Sequence, residues 1–313
     1  MKEELVTKAV SVLTEAGFTV SDCCSVRSCF DILARRDEEL LLIKVLVNIE
    51  GITPKLAAEL RAVSVALSAI PIVIGEHMKN ASLSGGVIYT RYDLPVVNVG
   101  AFEEMLSKNG PSVYSIRGNY CVRVDGGMLS DMRKKVDLTQ EELAAKLGVS
   151  KQSIHRYESS GRVSLDIAER MIKFLNEDLL VPGKMPASAT SVPGHSEGAE
   201  GPSSERAASF RTELEKTVYY EFCKMGLNPS LTTAPFDILA TEKVRRERIL
   251  TIVSDDHRGL KKKIEIIQVI CEITGSRPVC VSNRSCGLDV LVIKPKELSG
   301  IKDADDLIRR LDE

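Results

Sequence analysis

Apolar positions along the chain follow two rhythms. Over Lys2–Ala16, Leu5, Val6, Ala9, Val10 and Leu13 recur at helical spacing, and Phe210–Met225 repeats the pattern. Between and after these stretches come short, nearly unbroken apolar runs: Leu40–Val47, Pro71–Ile74, Arg248–Ser254 and Pro278–Val281. Runs of that length, rich in Leu, Ile and Val, predict strands buried on both faces of a sheet. Longer patterned segments at Thr53–Ile70 and Gly259–Gly275 predict helices between the strands.

The two sets of elements match one another. The pentapeptide Phe-Asp-Ile-Leu-Ala occurs at Phe30–Ala34 and again at Phe236–Ala240. Ala16–Phe18 corresponds to Met225–Leu227, and Pro71–Ile74 to Pro278–Val281. A glycine-led strand closes each set, Gly-Gly-Val-Ile-Tyr-Thr in the first and Cys-Gly-Leu-Asp-Val-Leu-Val-Ile in the second. The offset stays between 206 and 209 residues over about 70 residues, which predicts a duplicated α/β domain with a mixed sheet and flanking helices.

The middle of the chain is different. Val113–Gly127 alternates apolar and polar residues around Gly118-Asn119 and predicts a β-hairpin. Such a hairpin either bridges the first domain to the next one or pairs with a second copy of the chain. Residues 128–178 read as a packed set of short helices. Leu129 and Met132 face inward from the first. Thr139 caps the second, with Glu142 completing a capping box, and Leu143, Ala144 and Leu147 form its inner side. Gly148 suits the left-handed position of a tight turn, and Val149 lies beneath it. Ser150 caps a third helix anchored by Ile154 and Tyr157. That anchoring turns Lys151, Gln152, His155 and Arg156 outward.

This segment resembles the Cro-type helix-turn-helix domain of phage-repressor regulators. The resemblance implies that the third helix lies in the major groove, with Lys151, Gln152 and Arg156 reading base edges. It implies phosphate contacts from Gln140, with Ser153 and Arg162 as further candidates. It also implies a structural ion pair between Arg133 and Glu158. His155 reads as a surface residue.

The duplicated domain, with Asp31 in the second strand and Lys44 in the third, resembles the restriction-endonuclease-like, or resolvase-like, fold. That family cuts DNA with an Asp followed by an acidic-x-Lys unit on the next strand, two carboxylates holding a divalent metal. Here Leu42 stands two residues before Lys44, and the second copy keeps Asp237 without the acid or the lysine. Two inactive scaffolds are therefore expected, with no catalytic residue, metal or cofactor. A metal-dependent nuclease using Asp31 and Lys44 is the enzymatic alternative, and a bridging coactivator of basal transcription proteins is a third. The whole layout resembles an archaeal family of transcriptional regulators with a central Cro-type domain between nuclease-like halves. It implies a sequence-specific regulator that binds double-stranded DNA; because one recognition helix reads too few bases for tight selective binding, a homodimer held by the scaffolds on a near-palindromic operator is expected.

Composition refines this picture. The chain has 313 residues and a net charge of −2, so no bulk positive field drives DNA binding. Residues 128–178 balance nine Lys/Arg against nine Asp/Glu, which makes dimerisation matter for affinity. The basic runs Arg245–Arg248 and Lys261–Lys263 either graze flanking phosphates or are solvated charge. Of eight cysteines, none forms the two-residue-gap pair of a zinc knuckle, so reduced and mostly buried thiols are expected. Residues 181–205, rich in Pro, Gly, Ser and Ala, read as a flexible linker. The fold class is multidomain: α/β domains at 1–110 and 206–313, a connector at 111–127, and an all-α helix-turn-helix domain at 128–180. No apolar run reaches bilayer length and no signal peptide opens the chain, so a cytoplasmic location is expected.

Overall fold

The computed structural model describes residues 1–23, 28–107, 110, 112–116, 118–182, 210–242, 247–254, 259–283 and 290–311. The first α/β unit runs α1 (Lys2–Glu15), β1 (Thr19–Asp22), β2 (Ile32–Arg36), β3 (Glu39–Asn48), α2 (Pro54–Leu67), β4 (Ile70–Met78), β5 (Ala81–Ser82), β6 (Val87–Arg91), β7 (Leu94–Val97) and α3 (Val99–Leu106). Next comes a hairpin, β8 (Val113–Ile116) and β9 (Asn119–Arg123). The central helices are α4 (Gly126–Lys135), α5 (Gln140–Leu147), α6 (Lys151–Ser160) and α7 (Leu165–Leu175), with β10 (Arg162–Ser164) between the last two. The second α/β unit runs α8 (Glu213–Lys224), β11 (Asn228–Leu231), β12 (Ile238–Thr241), β13 (Arg248–Val253), α9 (Leu260–Thr274), β14 (Arg277–Val281), β15 (Leu291–Ile293), α10 (Pro295–Leu298) and α11 (Ala304–Leu311). No helix among the described residues is long and apolar enough to cross a membrane.

Each α/β unit is built on the same mixed sheet. In the first, β1, β2 and β3 pair antiparallel, and β3, β4 and β7 continue in parallel. In the second, β11, β12 and β13 pair antiparallel, and β13, β14 and β15 continue in parallel. Ile32 faces Ile43 across β2 and β3, as Ile238 faces Thr251 across β12 and β13. One expected correspondence is corrected. The strand Val87–Arg91 does not take the place of β15; Leu94–Val97 does, because it is the strand that pairs with β4. β6 lies one position further out, antiparallel to β7.

The two units pack against each other inside one chain. β2 and β3 alternate their side chains: Ile32, Ala34, Leu41 and Ile43 face a core with α1 and α3. Leu33, Leu40 and Leu42 face the other way, into a core shared with α2, with Phe236, with Leu239, Leu250 and Ile252 of the second sheet, and with Ile264, Ile267 and Ile270 of α9. Near-twofold hydrogen bonds close this interface. Arg35 Nη1 donates to the Ile273 carbonyl at the end of α9 (2.8 Å), and Arg248 Nη1 donates to the Leu67 carbonyl at the end of α2 (2.6 Å). Both arginines lie at the matching hairpin ends, Arg35 opposite Leu40 and Arg248 opposite Thr241, and each supplies a cation where a helix C-terminus accumulates negative potential. The Cys29 N–H also donates to the Thr233 carbonyl (3.0 Å), so the segments preceding the two repeated pentapeptides touch.

The hairpin bridges. β8 pairs with β6 along one edge, and β9 pairs with β10 along the other, so one sheet runs from β1 to β10. Its edges are used within the chain, which removes pairing of the hairpin with a second copy. The central unit is accordingly not all-α: Val163 of β10 faces Val122 of β9, and both enter the core beneath α4–α7. The expected linker falls outside the described residues from 183 onward, and so do Arg245 and Arg246 of the first basic run.

Candidate nucleic-acid interface

The α5–turn–α6 unit forms for local reasons. Thr139 accepts the Glu142 N–H while the Glu142 carboxylate accepts the Thr139 N–H, a complete capping box. Gly148 ends α5 with φ +66°, a conformation that favours glycine. Val149 packs partly buried under the turn, and Ser150 caps α6 by accepting the Ser153 N–H at 3.2 Å. Ile154 and Tyr157 are buried with Leu129, Leu143, Ala144 and Leu147.

With that side inward, Lys151, Gln152, His155 and Arg156 are all exposed. Arg156 places its guanidinium 5.6 Å from the Tyr157 ring centroid. Lys151 Nζ lies 3.6 Å from Glu141 Oε2, a partner that the sequence did not single out. Ser153 is half-buried, its hydroxyl 2.9 Å from that of Ser150. Arg162 is exposed at the start of β10 and sits across the strand pair from exposed Arg123.

Gln140 departs from expectation. Half-exposed, it donates its amide to Glu158 Oε2 at 2.7 Å. The reason is the last turn of α6, which brings an ionised acceptor within reach of the first residue of α5; a charged acceptor holds an amide better than water does. Arg133 binds the same carboxylate, Nε to Oε1 at 2.6 Å and Nη2 to Oε2 at 3.3 Å, and donates Nη1 to the Leu138 carbonyl at 2.8 Å. Burial alone would raise the Glu158 pKa. The hydrogen bonds from Arg133 and Gln140, with the Arg133 charge, outweigh it and hold the carboxyl below its ordinary value of 4.5. The Arg133–Glu158 pair thus joins α4, α5 and α6.

Two glycines let the helices meet the sheet. A methyl at Gly126 would collide with the Glu158 carbonyl, and one at Gly161, where φ is +67°, with the Val124 carbonyl. The Val124 N–H donates to the Gly161 carbonyl at 2.8 Å and the Asp125 N–H to Leu179 at 2.9 Å, fastening the unit to β9.

The nuclease-like positions carry buried ion pairs. Asp31 is buried and accepts the Val45 N–H at 2.8 Å, with Lys2 Nζ 2.9 Å and Lys44 Nζ 3.3 Å from its other oxygen. Asp237 repeats this: it accepts the Val253 N–H at 2.9 Å and pairs with Arg211 at 3.2 Å. Lys2 and Arg211 are equivalent, since the offset that aligns Ala16 with Met225 aligns them as well. That signal was present in the sequence. Leu42, where a second metal-binding carboxylate would stand, is buried in the shared core. Among the described residues, no group of three or more His, Cys, Asp or Glu side chains is placed to hold a metal. Of the described cysteines, Cys23, Cys29, Cys271 and Cys280 are buried, and burial pushes the thiols of Cys23 and Cys29 up to about 12.

Comparison with known proteins agrees with this architecture. Residues 2–111 match the model of a PD-(D/E)XK superfamily domain, and residues 129–181 match that of a helix-turn-helix. A protein of Methanocella arvoryzae is 31% identical, covering 98% of this chain and 94% of its own length. One of Natronomonas pharaonis is 30% identical over 98% and 96%, and one of Pyrococcus furiosus 29% over 100% and 98%. Each bears the name "Putative HTH-type transcriptional regulatory protein". No solved structure matches.

Proposed function

The chain belongs to the archaeal family of HTH-type transcriptional regulatory proteins, and on that premise we propose that it is a sequence-specific regulator that reads double-stranded DNA through α6. The observation that carries this is the division of α6: Ile154 and Tyr157 are buried, while Lys151, Gln152 and Arg156 stand together on the open side. In the major groove, lysine and arginine suit guanine O6 and N7, and glutamine suits adenine N6 and N7. Ser153 and Arg162 supply backbone contacts, with the N–H groups at the start of α5 replacing the Gln140 side chain.

One short helix reads few bases, so the protein acts as a homodimer on a near-palindrome with half-sites about 34 Å apart. The α/β units already cover one broad face of each other within the chain, so the second copy docks on another surface. The α/β units serve as scaffold and the protein is not an enzyme; the ion pairs on Asp31 and Asp237 and the leucine at position 42 support this. The site lies in the cytoplasm with its DNA, and it takes no cofactor.

Selection of binding sequences from random duplexes tests the reading. An enriched near-palindrome that is lost with Arg156→Ala supports it. No enriched motif would favour the bridging coactivator instead. A magnesium-dependent cleavage of supercoiled or branched DNA, abolished by Asp31→Ala, would overturn the scaffold assignment.

A further inference from the structure

Three consecutive residues open α5, and the side chains of two of them are tied down by hydrogen bonds. Gln140 is tied to Glu158, and Glu142 completes the capping box. Glu141 adds negative charge to the first turn of the helix, and among the described residues no structural hydrogen bond like those two fixes its side chain. Its side chain is 78% exposed and reaches toward Lys151, itself 61% exposed, with 3.6 Å between Oε2 and Nζ. The helix N-terminus accounts for the negative charge, but a pair this open to water adds little to stability, so the fold does not require Lys151 as its partner. Yet its two tips, one cationic and one anionic, lie at the entrance of the helix that faces the groove.

We propose that Lys151 and Glu141 form one reading unit for a single G·C base pair. In the major groove, guanine presents O6 and N7 as acceptors and its cytosine presents the N4 amino group as a donor. The ammonium of Lys151 donates to the guanine, and the carboxylate of Glu141 accepts from N4 of the cytosine. A·T in that position would set the adenine N6 amino group against the ammonium. The reversed C·G pair would put the cytosine amino group there. In these two cases charges of one kind would meet donors or acceptors of the same kind, and such mismatches reject wrong partners; T·A keeps O4 and N6 in the favourable order and is disfavoured only because it lacks the guanine N7 acceptor. The pairing of the two side chains in the free protein holds them side by side before DNA arrives, which lowers the ordering cost of reading.

The inference rests on α6 being the groove helix, and the test separates the two. Binding sequences are selected from random duplexes with the full chain, with Lys151→Ala, with Glu141→Ala and with both changes, each checked for an unaltered thermal melt. The wild type is expected to prefer G·C at one position of each half-site by about tenfold. Each single variant loses that preference at that same position and keeps the rest of the motif; the double variant loses no more. A Glu141→Ala protein that keeps the G·C preference sinks the proposal, including when its affinity rises equally for all sequences, as it would if Glu141 merely repelled phosphate. A wild type that selects no motif at all overturns the groove reading itself.

Discussion

Replacing Glu158 by alanine should loosen the whole reading head. The carboxylate takes two hydrogen bonds from Arg133 and one from Gln140, and the side chains of the ion pair keep only 12% and 11% of their surface in water. Without Glu158, the Arg133 guanidinium keeps the Leu138 carbonyl but loses its counter-charge, and the Gln140 amide loses its acceptor. Breaking a fully buried pair costs roughly 3–5 kcal/mol, and an exposed pair roughly 0–1 kcal/mol. This pair lies nearer the buried limit, so about 2–4 kcal/mol is expected. Because the chain has several units, global melting would blur the loss. Native-state hydrogen exchange of the α4 and α6 amides reads it locally, as a fall in opening free energy of that size while the cores of the two α/β units are unchanged. A change below about 0.5 kcal/mol would refute the argument, because it would show that water already screens the pair. Acid provides a second check. Since Glu158 titrates below its unfolded value near 4.5, its contribution is complete above that pH and is lost as the pH falls through the lower folded value. Glu158→Gln should therefore flatten the acid limb of α6 protection and leave neutral pH as the region of largest difference.

Four further outcomes are expected. Gly126→Ala should disturb the docking of α4 on the last turn of α6 by about 1–3 kcal/mol, read as faster exchange at Val124 and Asp125 and weaker DNA binding with intact α/β units. Arg211→Met should destabilise the second unit more than Lys2→Met does the first. Arg211 faces two buried carboxylates, Asp237 and Glu215, and its loss would leave only Lys263 at 4.0 Å from Asp237, whereas Asp31 would retain Lys44 at 3.3 Å; native-state hydrogen exchange of the β3 and β13 amides gives the order. Arg35→Ala and Arg248→Ala should each weaken the contact between the α/β units by about 1–2 kcal/mol, and non-additively, because the two guanidinium charges lie close enough to repel each other; a double-mutant cycle on denaturant unfolding reads the coupling. Lys151→Ala should reduce discrimination between operator sequences by about 1–3 kcal/mol in competition binding assays.

How much was legible in the sequence depends on the range of the forces involved. The Thr139–Glu142 box, the left-handed Gly148 and the Ser150 cap are settled within four residues, and all are legible. So is the outward set on α6, because Ile154 and Tyr157 leave one orientation for the rest. The hydrogen bond from Gln140 to Glu158 was not legible, because it forms only once the end of α6 is placed beside the start of α5. The closing strands were mismatched because Val87–Arg91 and Leu94–Val97 are both short and the first carries the leading glycines; pairing partners tell them apart. The interface between the copies was hidden for a related reason. A strand buried on both faces reads the same whether its second face meets its own helix or another domain, and Leu33, Leu40 and Leu42 meet both.

The hydrogen-bond ladder that runs unbroken from β1 through β10 leaves no swivel between the body of the protein and the helix offered to DNA. Two such molecules clasped together would behave as callipers with a fixed opening. Inserting about five base pairs between half-sites, half a turn of the duplex, would carry one target round to the far side and out of reach, even with every base contact preserved.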